Sequence, residues 1–160
     1  MPEQKIYLLT GPVQTGKTTS LINWSIKRND VFGILTPVVD GKRVFMNAHT
    51  REQFPMEATG GETETQKVGR FIFSKTNFNR AVQVILDAMN TSGWLAIDEI
   101  GPLELRGEGF CSALKEVLQD RRKGRIILVI REGIQEKVRE YFNIKEAAEI
   151  NDIPGLSQSR

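Results

Sequence analysis

Residues 11–20 read "GPVQTGKTTS" and follow the apolar run "IYLLT" directly. This stretch fits G-x-x-x-x-G-K-[ST] and constrains the chain more than any other segment. A glycine-rich turn between a strand and a helix turns successive backbone N–H groups onto phosphate oxygens, and the helix N-terminus adds partial positive charge. Gly11 and Gly16 allow the close approach, and Pro12, Val13, Gln14 and Thr15 complete the loop between them. Lys17 would then reach the β- and γ-phosphates, the Thr18 hydroxyl would ligate Mg²⁺, and Thr19 would touch a phosphate nearer the sugar. The bland alternative is a chance match to four constrained positions, and the strand-then-helix context argues against it. The motif points to a nucleoside di- or triphosphate and is silent about the reaction.

The rest of the chain alternates strand and helix patterns. Residues 5–10 suit a buried strand, and a helix should start at Gly16 or Lys17, with Leu21, Ile22, Trp24 and Ile26 facing the core. "FGILTPVVDGKRVFMNA" holds two β-rich runs about Asp40-Gly41, a dipeptide that suits a tight hairpin. Residues 49–66 mix Pro, paired glycines and acids and read as an exposed, mobile loop; "KVGRFIFS" reads as one strand. A helix over "TNFNRAVQVILDAMN", a strand "WLAID", a helix ending before Gly124, a strand "RIILVIR", a helix near 134–142 and an extended segment near 147–151 follow. Such alternation implies a mainly parallel sheet with helices on both faces, and the Asp40 hairpin is an antiparallel addition.

At 160 residues one core is expected, so 1–160 reads as a single domain. With 39% hydrophobic and 26% charged residues the chain should fold, and a net charge of +2 gives no reason to expect nucleic acid as a partner. The basic run "DRRKGR" at 120–125 reads as cations at a helix C-terminus. No apolar run approaches the roughly 20 residues of a membrane helix, and "MPEQK" lacks a signal-peptide core, so a cytoplasmic monomer is the expectation. Cys111 reads as buried filler and His49 as a surface residue, since neither has a base or a second metal ligand at a useful spacing.

What the phosphate is for depends on "WLAIDEIGPLEL". A buried strand ending in Asp98-Glu99 brings two carboxylates to the sheet edge where the phosphate loop opens. Asp98 would hold Mg²⁺ through its waters, and Glu99 would orient or deprotonate a water attacking the γ-phosphorus. A solvated loop start is the bland reading of the pair, and the cradle weighs against it. An acidic residue beside the metal leans towards hydrolysis.

Together these segments resemble the small P-loop nucleoside-triphosphatases, a family that includes the cancer-related nucleoside-triphosphatase of animals and relatives in thermophilic microbes. The resemblance rests on "GPVQTGKTTS", "VVDGKRVF", "KVGRFIF", "LAIDEIGPLEL" and "GF" at 109–110, and it covers most of the chain. This chain departs from the family pattern at Gln14-Thr15 and at Pro102, a place often filled by lysine. The resemblance implies a three-layer P-loop fold and Mg²⁺-dependent hydrolysis of ATP, GTP or other nucleoside triphosphates, with little preference for the base.

Two other functions compete. A nucleotide or small-molecule kinase would need an acceptor pocket and an arginine-rich lid, and loop 49–66 offers Arg51 and one histidine. A non-catalytic nucleotide switch would read out its state through the same loop. A cation is also needed at the γ-phosphate. If "RIILVIR" inserts between the cradle strand and the acidic strand, Arg131 is carried there; the alternative is that Arg131 pairs with Glu132 or Glu99, and Arg106 and Arg70 stand next in line.

Overall fold

A computed structural model of the chain describes residues 5–11, 16–57, 65–68, 71–119, 124–151 and 153. Strand β1 (Lys5–Leu9) leads through the phosphate loop into α1 (Lys17–Ile26) and β2 (Val31–Leu35). Four short strands follow: β3 (Val38–Val39), β4 (Lys42–Asn47), β5 (Gln53–Pro55) and β6 (Thr65–Val68). Then come β7 (Phe71–Ser74), α2 (Lys75–Ala88), β8 (Trp94–Ile100), α3 (Pro102–Leu105) and α4 (Cys111–Gln119). The chain closes with β9 (Arg125–Ile130), α5 (Gln135–Tyr141) and β10 (Ala148–Ile150).

The main sheet has eight strands in the order β10-β1-β9-β8-β2-β4-β3, with β5 on β4. Neighbours from β10 to β2 are parallel, and the pairs made by β4 are antiparallel. Strand β9 shows why a continuous apolar run belongs at the centre of such a sheet. Ile126, Leu128 and Ile130 pack with α2, α4 and α5 on one face, while Ile127 and Val129 pack with Leu21 of α1 on the other. All five are fully buried, each contributing roughly 1.5–3 kcal/mol by removal from water. The result is the expected three-layer, mainly parallel α/β architecture.

The Asp40-Gly41 turn closes β3 onto β4 with positive φ at both residues (51° and 79°), the geometry of a two-residue hairpin. Three expectations need correction. Loop 49–66 contains β5, paired with β4, and Glu57 bridges to Phe73; residues 58–64 lie outside the described residues. "KVGRFIFS" divides into parts of β6 and β7, an antiparallel pair rather than one strand, in which Lys67 faces Ile72 and Val68 faces Phe71. Ile26 is 61% exposed, since α1 ends there and its buried stripe runs through Leu21 and Ser25. Trp24 is half-buried, with its ring edge-on to Trp94 at 5.3 Å.

Cys111 is buried beside the Tyr141 hydroxyl, and His49 is exposed, stacked on Phe32 at 4.3 Å. Of the basic run, residues 120–123 lie outside the described residues, and Arg125 covers the Trp94 ring at 4.7 Å. Among the described residues no helix is long and apolar enough to cross a membrane.

Candidate functional site

Because β1, β9, β8 and β2 are parallel, the chain leaves all four strands at one edge of the sheet. That edge collects Gly11 after β1, Thr36 after β2, Asp98 and Glu99 at the end of β8 and Arg131 after β9. The order β1-β9-β8 inserts β9 between the cradle strand and the acidic strand, as the Arg131 reading requires.

Gly16 has φ 77° and ψ 26° immediately before α1, a left-handed conformation that a side chain would strain. It turns the loop into the helix, so that Lys17 and Thr18 occupy the first turn facing the sheet edge. The Lys17 ammonium donates to the carbonyls of Gly11 (3.0 Å) and Ile130 (3.4 Å). These two contacts hold the cation between the ends of β1 and β9. The Thr18 hydroxyl donates to Asp98 Oδ2 at 2.7 Å, a short charge-assisted bond that joins the two motifs across eighty residues of sequence. Thr19 is exposed on the same helical turn. Gly11 is described, whereas Pro12, Val13, Gln14 and Thr15 lie outside the described residues.

Asp98 is fully buried. Its Oδ2 also accepts from the Thr36 N–H at 3.1 Å, and its Oδ1 has no hydrogen-bond partner among the described residues. Burial pushes this carboxyl up, and the bonds from Thr18 and Thr36 oppose the shift. A buried carboxylate with one unsatisfied oxygen suits a hard divalent cation, and Thr18 and Asp98 supply the oxygen donors that Mg²⁺ prefers.

Glu99 points elsewhere because of a register shift. Asp98 pairs with Val129 and Ile100 pairs with Ile130, so Glu99 is the extra residue of a bulge. Its carboxyl is raised by burial and by Asp98, while Arg43, Arg131 and Lys17 pull it down. Arg131 Nε lies 3.9 Å from Glu99 Oε1, with its side chain 56% exposed. Of the two sequence readings this is the pairing with Glu99. An ion pair so long and so exposed holds little energy, and the guanidinium is free to reorient. Arg106, the fallback, is exposed beside Glu108; Arg70 lies outside the described residues.

Two contributors were missed in the sequence. Arg43 donates to the Thr36 carbonyl (2.8 Å) and lies near its hydroxyl (3.4 Å), while Thr36 holds Asp98. The signal was strand alternation: Arg43, itself exposed, stands two residues before buried Phe45 on the same face of β4. Glu104 is buried, accepting from Gly101 N–H (2.7 Å) and Phe110 N–H (2.9 Å). Its carboxylate takes the space a Cβ at Gly109 would fill, which explains physically why "IGPLEL" and "GF" occur together. Pro102 opens α3 at a position where its missing N–H costs nothing. Arg51 donates to Ser25 Oγ at 2.8 Å and is thereby tied to α1.

A phosphate loop, a buried acidic strand end and a strand between them define a P-loop nucleotide hydrolase class. Residues 6–153 match the family described as NTPase, and the chain belongs to it. A solution structure of a human cancer-related nucleoside triphosphatase is similar, with 26% identity, a TM-score of 0.69, and coverage of 98% of this chain and 99% of that one. The crystal structure of THEP1 from the hyperthermophile Aquifex aeolicus shares the fold, with a TM-score of 0.73 at 19% identity over 96% of this chain and 93% of that one. Among curated proteins no match is found.

Proposed function

We propose that this chain hydrolyses nucleoside 5′-triphosphates to the diphosphate and inorganic phosphate, requires Mg²⁺, and tolerates different bases. The observation that carries the reading is the Thr18–Asp98 contact, which joins the two metal-ligand candidates, and Glu99 stands close enough to Asp98 and Lys17 for their charges to act on it. Bound there, Mg²⁺ would supply charge neutralisation at the β- and γ-oxygens. Lys17 binds those oxygens as a point charge. Glu99 orients the attacking water and takes its proton as the new P–O bond forms and the bond to the β-phosphate breaks. Arg131 leaves Glu99 to meet the charge that develops on the γ-phosphate. The chain acts as a cytoplasmic monomer of one domain. Phosphate release measured with four nucleoside triphosphates, with and without Mg²⁺, tests the reading; hydrolysis independent of Mg²⁺, or none, defeats it.

Asp98 gives a test that does not depend on turnover. Asp98→Asn removes a buried charge, so without metal the variant should melt higher, by about 2–4 °C for each kcal/mol relieved. Millimolar Mg²⁺ should raise the melting temperature of the wild type and leave the variant unmoved. Equal responses to Mg²⁺ would place the metal elsewhere.

Arg131→Ala should lower kcat well over tenfold with little change in nucleotide affinity, the pattern of a contact made in the transition state. A variant with normal kcat would confine Arg131 to its pairing with Glu99.

A further inference from the structure

A cleft of about 580 Å³ opens beside Glu99, bounded by the β3–β4 hairpin, the start of α2 and the α3 segment. Its inner wall is apolar: Met56 and Phe110 are buried, and Phe73, Phe78 and Leu103 are half-buried. The rings brace one another, with Phe78 5.5 Å from Phe110 and 5.7 Å from Phe73. Its polar lining is made by Arg43, Glu99 and Arg131, joined by Thr36, Glu57 and Glu104.

Position and size both bear on what it holds. Lys17 and Thr18, which would meet the β- and γ-phosphates, do not line the cleft, whereas Glu99 and Arg131 do. On the roles proposed above for Glu99 and Arg131, it adjoins the γ end of the phosphate chain. Hydrolysis needs space there for one water, about 30 Å³. The volume instead falls within the roughly 300–1,000 Å³ of small-molecule sites. A carboxylate beside two guanidiniums suits a group that both donates and accepts a hydrogen bond, and the aromatic wall suits a flat ring.

We infer that this cleft is a second ligand site, and that it binds a planar, ring-bearing alcohol whose hydroxyl stands between Glu99 and Arg131 where the attacking water would otherwise be. The occupied site excludes water from the γ-phosphate, so ligand binding and hydrolysis oppose each other while the nucleotide stays bound. The kinetic consequence rests on the hydrolysis reading above; the binding does not.

Naphthol, a fluorescent fused-ring alcohol, is a suitable probe. Its emission should change on binding, with or without a saturating non-hydrolysable Mg²⁺-nucleotide. Leu103→Trp, which fills the apolar wall, should weaken binding at least about tenfold. Val38→Trp, at an exposed rim position, should do the same without touching the core. Both variants should still hydrolyse nucleotide in the absence of probe. In the wild type naphthol should lower kcat and leave KM for the nucleotide unchanged. Loss of probe binding when nucleotide is added would make the cleft the base site and overturn the inference. So would binding that is indifferent to both tryptophans, or no binding at all. If binding follows the expected pattern but neither wild type nor variants release phosphate, the hydrolysis reading fails and the ligand site stands.

Discussion

Lys17→Ala is expected to abolish turnover and to weaken triphosphate binding severely, while leaving the protein folded. The side chain is half-buried, and its ammonium is held by the carbonyls of Gly11 and Ile130. Those carbonyls aim a full positive charge at the place where the β- and γ-oxygens would lie. A preorganised charge of this kind acts without reorganisation when charge develops, and removing one such donor commonly costs about 10²–10³ in rate. Loss of ground-state affinity adds to that. The fold should survive, because α1 is anchored by Leu21 and Ser25 one to two turns further on. Calorimetric titration with Mg²⁺-nucleotide and a phosphate-release assay on the same preparation check both effects. Unchanged hydrolysis would sink the cradle reading.

Lysine at 17 also shows how the sequence and the geometry divide the information. Local chemistry was legible: a G-x-x-x-x-G-K-[ST] turn requires particular residues in consecutive positions, so it can be read without any knowledge of the rest. The same holds for Asp40-Gly41, where two adjacent residues must accept positive φ. The meeting of Thr18 with Asp98 followed from one rule, that parallel strands deliver their C-terminal ends to a common edge. The apolar run of β9 told that the strand is covered on both faces, whereas its place between β1 and β8 was a condition of the Arg131 reading that the sheet order meets.

What could not be read depends on contacts that leave no spacing signal. Arg43 reaches the site through the Thr36 carbonyl, a group every residue carries. Glu104 looks like any surface acid in "PLELRGEG" until the chain folds back and Phe110 N–H lands on its carboxylate. The division of 67–74 into two strands had one local signal, Gly69, a residue that strands disfavour, and the pairing of Lys67 with Ile72 and of Val68 with Phe71 leaves no spacing pattern of its own. The cleft beside Glu99 belongs to the same class. Its wall is assembled from α2, α3, the β3–β4 hairpin and the segment around Met56, drawn from positions as far apart as Thr36 and Arg131.

Glu99→Gln separates the roles of the two carboxylates. Glutamine keeps the size of the side chain and its hydrogen-bonding reach, and it loses the capacity to take a proton. If Glu99 is the base, the variant should bind Mg²⁺-nucleotide with nearly wild-type affinity and hydrolyse it about 10²-fold or more slowly. The environment fits this role: burial and the neighbouring Asp98 raise the carboxyl, bringing it nearer the pH at which a base is most effective, and Arg43, Arg131 and Lys17 limit the shift. A cation on Asp98 would cancel the neighbour's contribution and leave that of burial. The wild-type rate should therefore climb with pH through a limb lying above the ordinary glutamate range, as the base loses its proton, and that limb should be missing from the variant. Asp98 behaves oppositely in the same assay, since its substitution removes the response to Mg²⁺ itself. Should Glu99→Gln lose nucleotide affinity while the rate per bound nucleotide survives, Glu99 is a metal or phosphate ligand, and the attacking water must be activated by another group at the sheet edge.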